Sequence, residues 1–294
     1  MDQPHYRFYP LPQRPRLVWP RGERVALCVI VSLEHFDWIP PADAYGVATT
    51  GTPFRSPFPN VRTYSHYEYG PRVGIFRVMD VLARLGVPAT LAIDAASALR
   101  YSLVVERAQA QGWELIAHGQ AVTRMITSRM SEADEARYVE TSLQAIEEAS
   151  GKRPLGWLGP EYGESTRTPA VLARLGVRYV CDWPNDEQPY PMTVPIGELV
   201  SLPILLDLDD VVSHYVRHVS IMRYGQLLKD AFDGLYQDGA TQGRLLALNV
   251  HPWLIGQPFR VKYFEDALRY VVAHEGVWKA TGREIVDWYR GQLA

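Results

Sequence analysis

Apolar residues along this chain fall into short runs bounded by turn residues and separated by stretches with helical spacing. Strand-like runs lie near 24–34, 87–93, 113–117, 154–158, 177–182, 199–204 and 244–250, with an eighth at 277–280. They are near-continuous in Val, Ile, Leu and Ala rather than alternating with polar residues, the pattern of parallel strands buried on both faces. Between them, Ile75, Met79, Leu82 and Leu85 recur at helical spacing behind Pro71, which suits a first helical turn, and Gly86 ends that helix.

Other boundaries follow from capping chemistry. Ser131-Glu-Ala-Asp134 resembles a capping box with Asp in the usual Glu/Gln place, and it opens a helix reaching Gly151. Thr281-Gly-Arg-Glu284 is a fuller capping box ahead of Ile285, Trp288 and Tyr289. The heptapeptide Val-Leu-Ala-Arg-Leu-Gly-Val occurs at 81–87 and again at 171–177, each time reading as helix end, C′ glycine and strand start. Strand–helix alternation predicts an α/β fold with a mostly parallel sheet, closed into a deformed (β/α) barrel of about seven or eight strands. An open doubly wound sheet is the rival, but no Gly-x-Gly-x-x-Gly turn follows the first strand.

Residues 1–23, with five prolines, read as an N-terminal arm, and 24–294 as one barrel domain. Within it, 36–70 is a loop-like stretch rich in Pro, Gly, Thr and Tyr. Its aromatics (Trp38, Tyr45, Phe54, Phe58, Tyr64, Tyr67, Tyr69) suit a packed lid or a purely structural cover.

Composition narrows the function. The 294 residues are 47% hydrophobic with a formal net charge of −3, so no basic footprint for nucleic acid exists. Cys28 and Cys181 each sit inside an apolar run and read as small core residues. The chain opens without a basic-then-apolar leader and has no run near the ~20 apolar residues of a membrane span, which predicts a soluble, cytoplasmic protein.

Three of the strand-like runs end in histidine: His35 after Glu34, His118 after Trp113–Ala117, and His251 after Leu245–Val250. Chemistry in parallel barrels gathers at the carboxyl ends of strands, so these residues point to one site; the alternative is that each caps its own strand. Glu34 suits a general base, or an ion pair with an arginine of the lid, and a strand-end His251 suits a general acid for a leaving nitrogen. Neighbours Glu34 and His35 should face opposite sides of a regular strand. Gly119 permits a sharp turn after His118, and Arg124 offers a fixed cation for an oxyanion or carboxylate, or merely a surface charge. Trp157, Glu161, Asp182 and Trp183 lie beyond two further strands as candidate substrate-binding walls, with core packing as the alternative for each tryptophan.

Together these segments resemble the polysaccharide deacetylase superfamily, the NodB-homology group also called carbohydrate esterase family 4, over roughly residues 20–290. The resemblance implies Glu34 at the base position, His35 where a metal-binding Asp would stand, His118 as first histidine of a His-x-x-x-His segment, Gly159-Pro160-Glu161-Tyr162-Gly163 near the third motif, and His251 as the late acid. The match breaks at Val122, four residues past His118, and at Trp157-Leu158, where an arginine is expected. A catalytic zinc wants three protein ligands. His35 and His118 could supply two, with Glu34 or Asp37 as a conceivable third, so both a divalent metal such as zinc and no metal stay open. The erosion resembles the branch holding the metal-independent allantoinase and the cyclic-imide and peptidoglycan-deacetylase-like proteins, and that group's habit implies a homo-oligomer.

The implied activity is hydrolysis of a non-peptide C–N bond in a small amide, cyclic amide, ureide or N-acetyl substrate. Glu34 or His118 would activate water, His251 would protonate the departing nitrogen, and Arg124 with backbone N–H groups would hold the oxyanion. A metal-dependent amino-sugar N-deacetylase is the second reading, and a non-catalytic ligand-binding relative the third. The discriminator for the third is whether Glu34, His118 and His251 converge.

Overall fold

The computed structural model describes residues 2–42, 44 and 57–292. Its strands are β1 (Val25–Leu33), β2 (Ala89–Ile93), β3 (Glu114–Ala117), β4 (Gly156–Trp157), β5 (Tyr179–Val180), β6 (Tyr190–Met192), β7 (Leu199–Ser201), β8 (Arg244–Val250) and β9 (Val277–Lys279). They form one curled sheet in the order β6-β7-β5-β4-β3-β2-β1-β8, parallel throughout except for the β6–β7 pair. β9 docks parallel to the first half of β1 (Val25↔Val277), and β2 pairs with the second half (Val29↔Ala89). The expected barrel is thus a half-barrel, with all eight sequence-predicted strands present.

β6 was not expected. Tyr190–Met192 lies between the predicted strands at 177–182 and 199–204, and Pro191 is tolerated because β6 is an edge strand. The helices are α1 (Val61–Tyr69), α2 (Ile75–Leu85), α3 (Ala95–Arg100), α4 (Ser102–Ala110), α5 (Glu132–Ser150), α6 (Thr168–Arg174), α7 (Ile221–Asp238), α8 (Pro252–Ile255), α9 (Val261–Val272) and α10 (Gly282–Gly291). The capping reading holds for α5, where Ser131 accepts from the Asp134 N–H, and for α10, where Thr281 and Glu284 cap reciprocally. Both copies of the heptapeptide close alike: Val87 N–H reaches the Leu82 carbonyl and Val177 N–H the Leu172 carbonyl, each 3.0 Å, across a left-handed glycine.

The 36–70 segment differs from its reading as loop. Helix α1 begins at Asn60, whose side chain accepts from Thr63 N–H, and runs through a π-helical turn at Gly70–Gly74 into α2. Pro71 therefore sits in this wider turn rather than at a helix start. The turn packs backbone to backbone on the segment after β8: a Cβ at Gly74 would lie 2.0 Å from the Pro252 carbonyl oxygen. Tyr45 and Phe54 lie outside the described residues.

Strand parity positions the site. On β1 the odd residues Val25, Leu27, Val29, Val31 and Leu33 pack outward against the helices, while Ala26, Cys28 and Ile30 fill the interior of the curl. Cys28 and Cys181 are both free and buried in that interior. β8 repeats the pattern, with Leu246, Leu248 and Val250 outward and Leu245 and Ala247 inward. Extending the parity aims Glu34, Asn249 and His251 into the mouth of the half-barrel and turns His35 away. The N-terminal arm lies along the body, with Trp19 fully buried and its indole N–H on the Arg244 carbonyl. No helix among the described residues is long and apolar enough to cross a membrane.

Candidate active site

Glu34, His118 and His251, from the ends of β1, β3 and β8, line one small cavity of about 70 Å³. One carboxylate oxygen of Glu34 stands 3.4 Å from His118 Nε2 and 3.7 Å from His251 Nε2. Its other oxygen accepts from the Trp253 indole N–H at 3.2 Å. Tyr67, Leu158, Gly159, Glu161, Tyr162, Asp209, Val211, Val212 and Asn249 complete the wall.

Each imidazole meets an oxygen at both ring nitrogens. His118 Nδ1 lies 2.6 Å from the Leu158 carbonyl oxygen and its Nε2 faces Glu34. His251 Nδ1 lies 2.7 Å from Asp210 Oδ1, and its backbone N–H donates to the same carboxylate. A neutral ring would aim a lone pair at an acceptor, so both sites favour imidazolium. Burial pulls His251 down, but the charges of Glu34, Asp209 and Asp210 outweigh it and push it up to about 10. Burial likewise opposes, without preventing, a raised His118, which Glu34 sustains. Burial pulls Glu34 up, yet His251, His118 and Trp253 hold it below its ordinary value, so it is a carboxylate at neutral pH.

The acid pair Asp209–Asp210 escaped sequence reading. Asp209 accepts from Tyr162 Oη (2.5 Å), Asn249 Nδ2 (2.9 Å) and Val212 N–H (2.9 Å), and Asn249 accepts from Ser32 Oγ (2.7 Å). These buried bonds tie the third-motif segment, β1, β8 and the 206–216 segment around the cavity. The legible signal was two adjacent acids just past an apolar stretch ending at Leu208.

Several expected site residues stand elsewhere. Arg124 is bound to Asp37 (2.9 and 3.2 Å), half-exposed and outside the cavity, so the oxyanion role expected of it has no geometric support. Trp157 is fully buried among the outward core residues because parity places it opposite Leu158, so it is not a stacking face. Trp183 packs on His5 and Tyr6 of the arm, again outside the cavity. Asp182 does not line the cavity either; it supports its wall by accepting the Gly159 N–H at 2.7 Å. Of that group, Glu161 alone reaches the cavity.

The metal ligands implied by the resemblance do not assemble. His35 does not meet His118; its ring nitrogens contact the Arg100 guanidinium at 2.5 and 3.0 Å, and its edge meets Tyr64. A cation beside the ring opposes binding of another, and Val122, where a third ligand is expected, is buried beside Phe36 and Trp253. The donor set therefore does not fit a zinc of that kind. Asp209, Asp210 and His251 form a trio with ligand atoms within 4.8 Å, but its closest pair is the charge-assisted bond between Asp210 and the His251 ring.

Known proteins similar to this chain are polysaccharide deacetylases and an allantoinase. A family model described as polysaccharide deacetylase matches residues 57–180. A probable polysaccharide deacetylase of Pseudomonas aeruginosa PAO1 superposes with a TM-score of 0.82 at 27% identity, covering 95% of each chain. The Puue allantoinase superposes with a TM-score of 0.81 at 26% identity, covering 95% of this chain and 94% of that one. The peptidoglycan deacetylase of Helicobacter pylori is 24% identical over 251 residues, 74% of this chain and 84% of that protein.

Proposed function

We propose that this relative of the polysaccharide deacetylases is a hydrolase of non-peptide C–N bonds whose substrate is a small amide of the ring-imide or ureide type, opened without a metal. Deacetylase and allantoinase relatives support the reaction class. The observation that carries the finer reading is Glu34 held between the His118 and His251 rings, at 3.4 and 3.7 Å, where the family's metal ligands are lost.

Glu34 is the base: it takes a proton from a water in the cavity as that water's oxygen attacks the amide carbon. His118 Nε2–H faces the same space and stabilises the oxyanion as it forms, a preorganised charge in a dry site. His251 Nε2–H then gives its proton to the nitrogen as the C–N bond breaks. The proton held by Glu34 returns to His251 across their 3.7 Å separation, restoring both groups. The resting charges suit this cycle, since the base starts ionised and the acid starts protonated. Tyr67, Trp253, Leu158 and Val211 give the cavity flat and apolar walls. At about 70 Å³ the cavity favours a compact reacting group over an open sugar groove.

The test is a substrate panel of cyclic imides, ureides and N-acetyl sugars, assayed with and without chelator, alongside E34Q. Ring opening that survives chelation and is lost in E34Q supports the reading. Activity confined to N-acetyl sugars and abolished by chelation would put the metal-dependent deacetylase first.

A further inference from the structure

The segment Gly159–Gly163 is the most constrained backbone around the cavity. Glu161 (φ 55°) and Tyr162 (φ 56°) adopt the left-handed conformation in succession, which side-chain-bearing residues seldom do. Such strain persists only where surroundings over-determine it, and it clusters at functional positions. Here Asp182 holds the Gly159 N–H (2.7 Å), Tyr162 N–H returns to the Gly159 carbonyl (3.0 Å), Gly163 N–H to the Pro160 carbonyl (2.9 Å), and Tyr162 Oη reaches Asp209. On the other flank, Gly119 leaves room for Pro160, whose Cγ would meet a Cβ at 2.7 Å.

All this fixes one side chain whose own carboxyl is not employed. Glu161 lines the cavity while remaining exposed to solvent, and takes no hydrogen bond among the described residues. Surrounding walls first, then the negative charges of Glu34 and Asp209, push its carboxyl up to about 7. A carboxylate anchored on a constrained backbone beside other negative charges complements a donor on the ligand. Leu158, Val211 and Trp253 line the same cavity as apolar walls. An amide seated with its carbonyl toward His118 presents its N–H as the remaining donor. His251 meets that nitrogen through its lone pair, so the two contacts do not compete.

We propose that Glu161 is the specificity residue of this cavity, accepting the N–H that flanks the scissile carbonyl and so selecting unsubstituted ring imides and ureides over their N-alkyl counterparts. This rests on the amide-hydrolase reading, but binding tests it separately from turnover. The test uses E34Q, which keeps the shape of the catalytic side chain, with succinimide and N-methylsuccinimide as calorimetric probes. Succinimide should bind roughly 10–100-fold tighter than its N-methyl analogue, the effect of leaving one acceptor unpaired. In E34Q/E161A the ratio should collapse to within about 3-fold, and E34Q/E161Q, whose amide oxygen still accepts, should keep part of it. E34Q/E161L, similar in bulk but without an acceptor, separates the two causes: exclusion of the methyl group by bulk alone would keep the ratio there, whereas loss of the acceptor collapses it. Equal affinities in E34Q, binding of neither probe, or a ratio indifferent to E161A would each overturn the proposal. Wild-type hydrolysis of the panel is scored apart: selective binding without turnover would remove the hydrolase reading and leave Glu161 as a ligand reader.

Discussion

Asp210→Asn isolates the charge that keeps His251 an acid. Asp210 is fully buried, with one oxygen 2.7 Å from His251 Nδ1 and both oxygens 3.1 Å from the His251 N–H. Asparagine keeps the shape and an acceptor for the ring but removes the charge. Two charges ~4 Å apart at an effective dielectric near 20 interact by about 4 kcal/mol, roughly 3 pKa units, which is a ceiling for one partner. The rise of His251 from 6.5 to about 10 is net of burial and shared among Glu34, Asp209 and Asp210. Taking about half of that ceiling for Asp210, ~1.5 pKa units, the alkaline limb of kcat/KM moves to about pH 8.5. At pH 9.5 that shift alone costs ~8-fold relative to wild type, and near pH 7 it costs almost nothing.

Stability follows the same linkage. A raised folded-state pKa stabilises fully below the unfolded value of 6.5 and ceases to as pH climbs through about 10. The variant should therefore be about 2 kcal/mol less stable at pH 6, a deficit that shrinks toward pH 10.5. The assays are a kcat/KM profile from pH 6 to 11 and urea unfolding at both ends. An alkaline limb that stays in place in D210N would refute the assignment of His251 as the acid this carboxylate sustains.

Other outcomes follow from single contacts. His251→Asn should fold and lose roughly 10²–10⁴ in kcat, less on substrates with good leaving nitrogens; an equal loss on good and poor leaving groups would make the histidine a positioning residue. Ring-opening activity should be indifferent to chelation, because His35 faces Arg100 and Val122 stands where a ligand is needed; one tightly held zinc per chain by elemental analysis would contradict that. Gly74→Ala should lower stability by about 2–3 kcal/mol or more by overpacking, and depress activity by displacing the Pro252 backbone beside His251; an unchanged melting temperature would show that this contact yields. Thr281→Ala should cost about 1 kcal/mol through loss of the reciprocal cap, read as a melting shift of about 2–4 °C with kinetics intact.

Sequence alone determined the layout of the parallel strands, since buried runs ending in turn residues leave few foldings open. It also located the carboxyl-end residues Glu34, His118 and His251, because strand ends are where a barrel exposes polar groups. Capping chemistry set the starts of α5 and α10, a local effect that needs no distant partner. What it left undecided was direction. Both faces of these strands are apolar, so the pattern carries no parity, and only the packed curl shows that Glu34 points into the mouth while His35 and Trp157 point out. Helix α1 was hidden because its aromatic and polar residues are poor helix formers, stabilised here by docking on the segment after β8. Asp209 and Asp210 were unreadable for a related reason: their partners, Tyr162, Asn249 and His251, lie about 40 or more residues away in sequence. The charge state of the site belongs to the tertiary structure as well. A histidine's pKa in a dry pocket depends on which carboxylates the fold brings close, and here Glu34, Asp209 and Asp210 together prevail over burial.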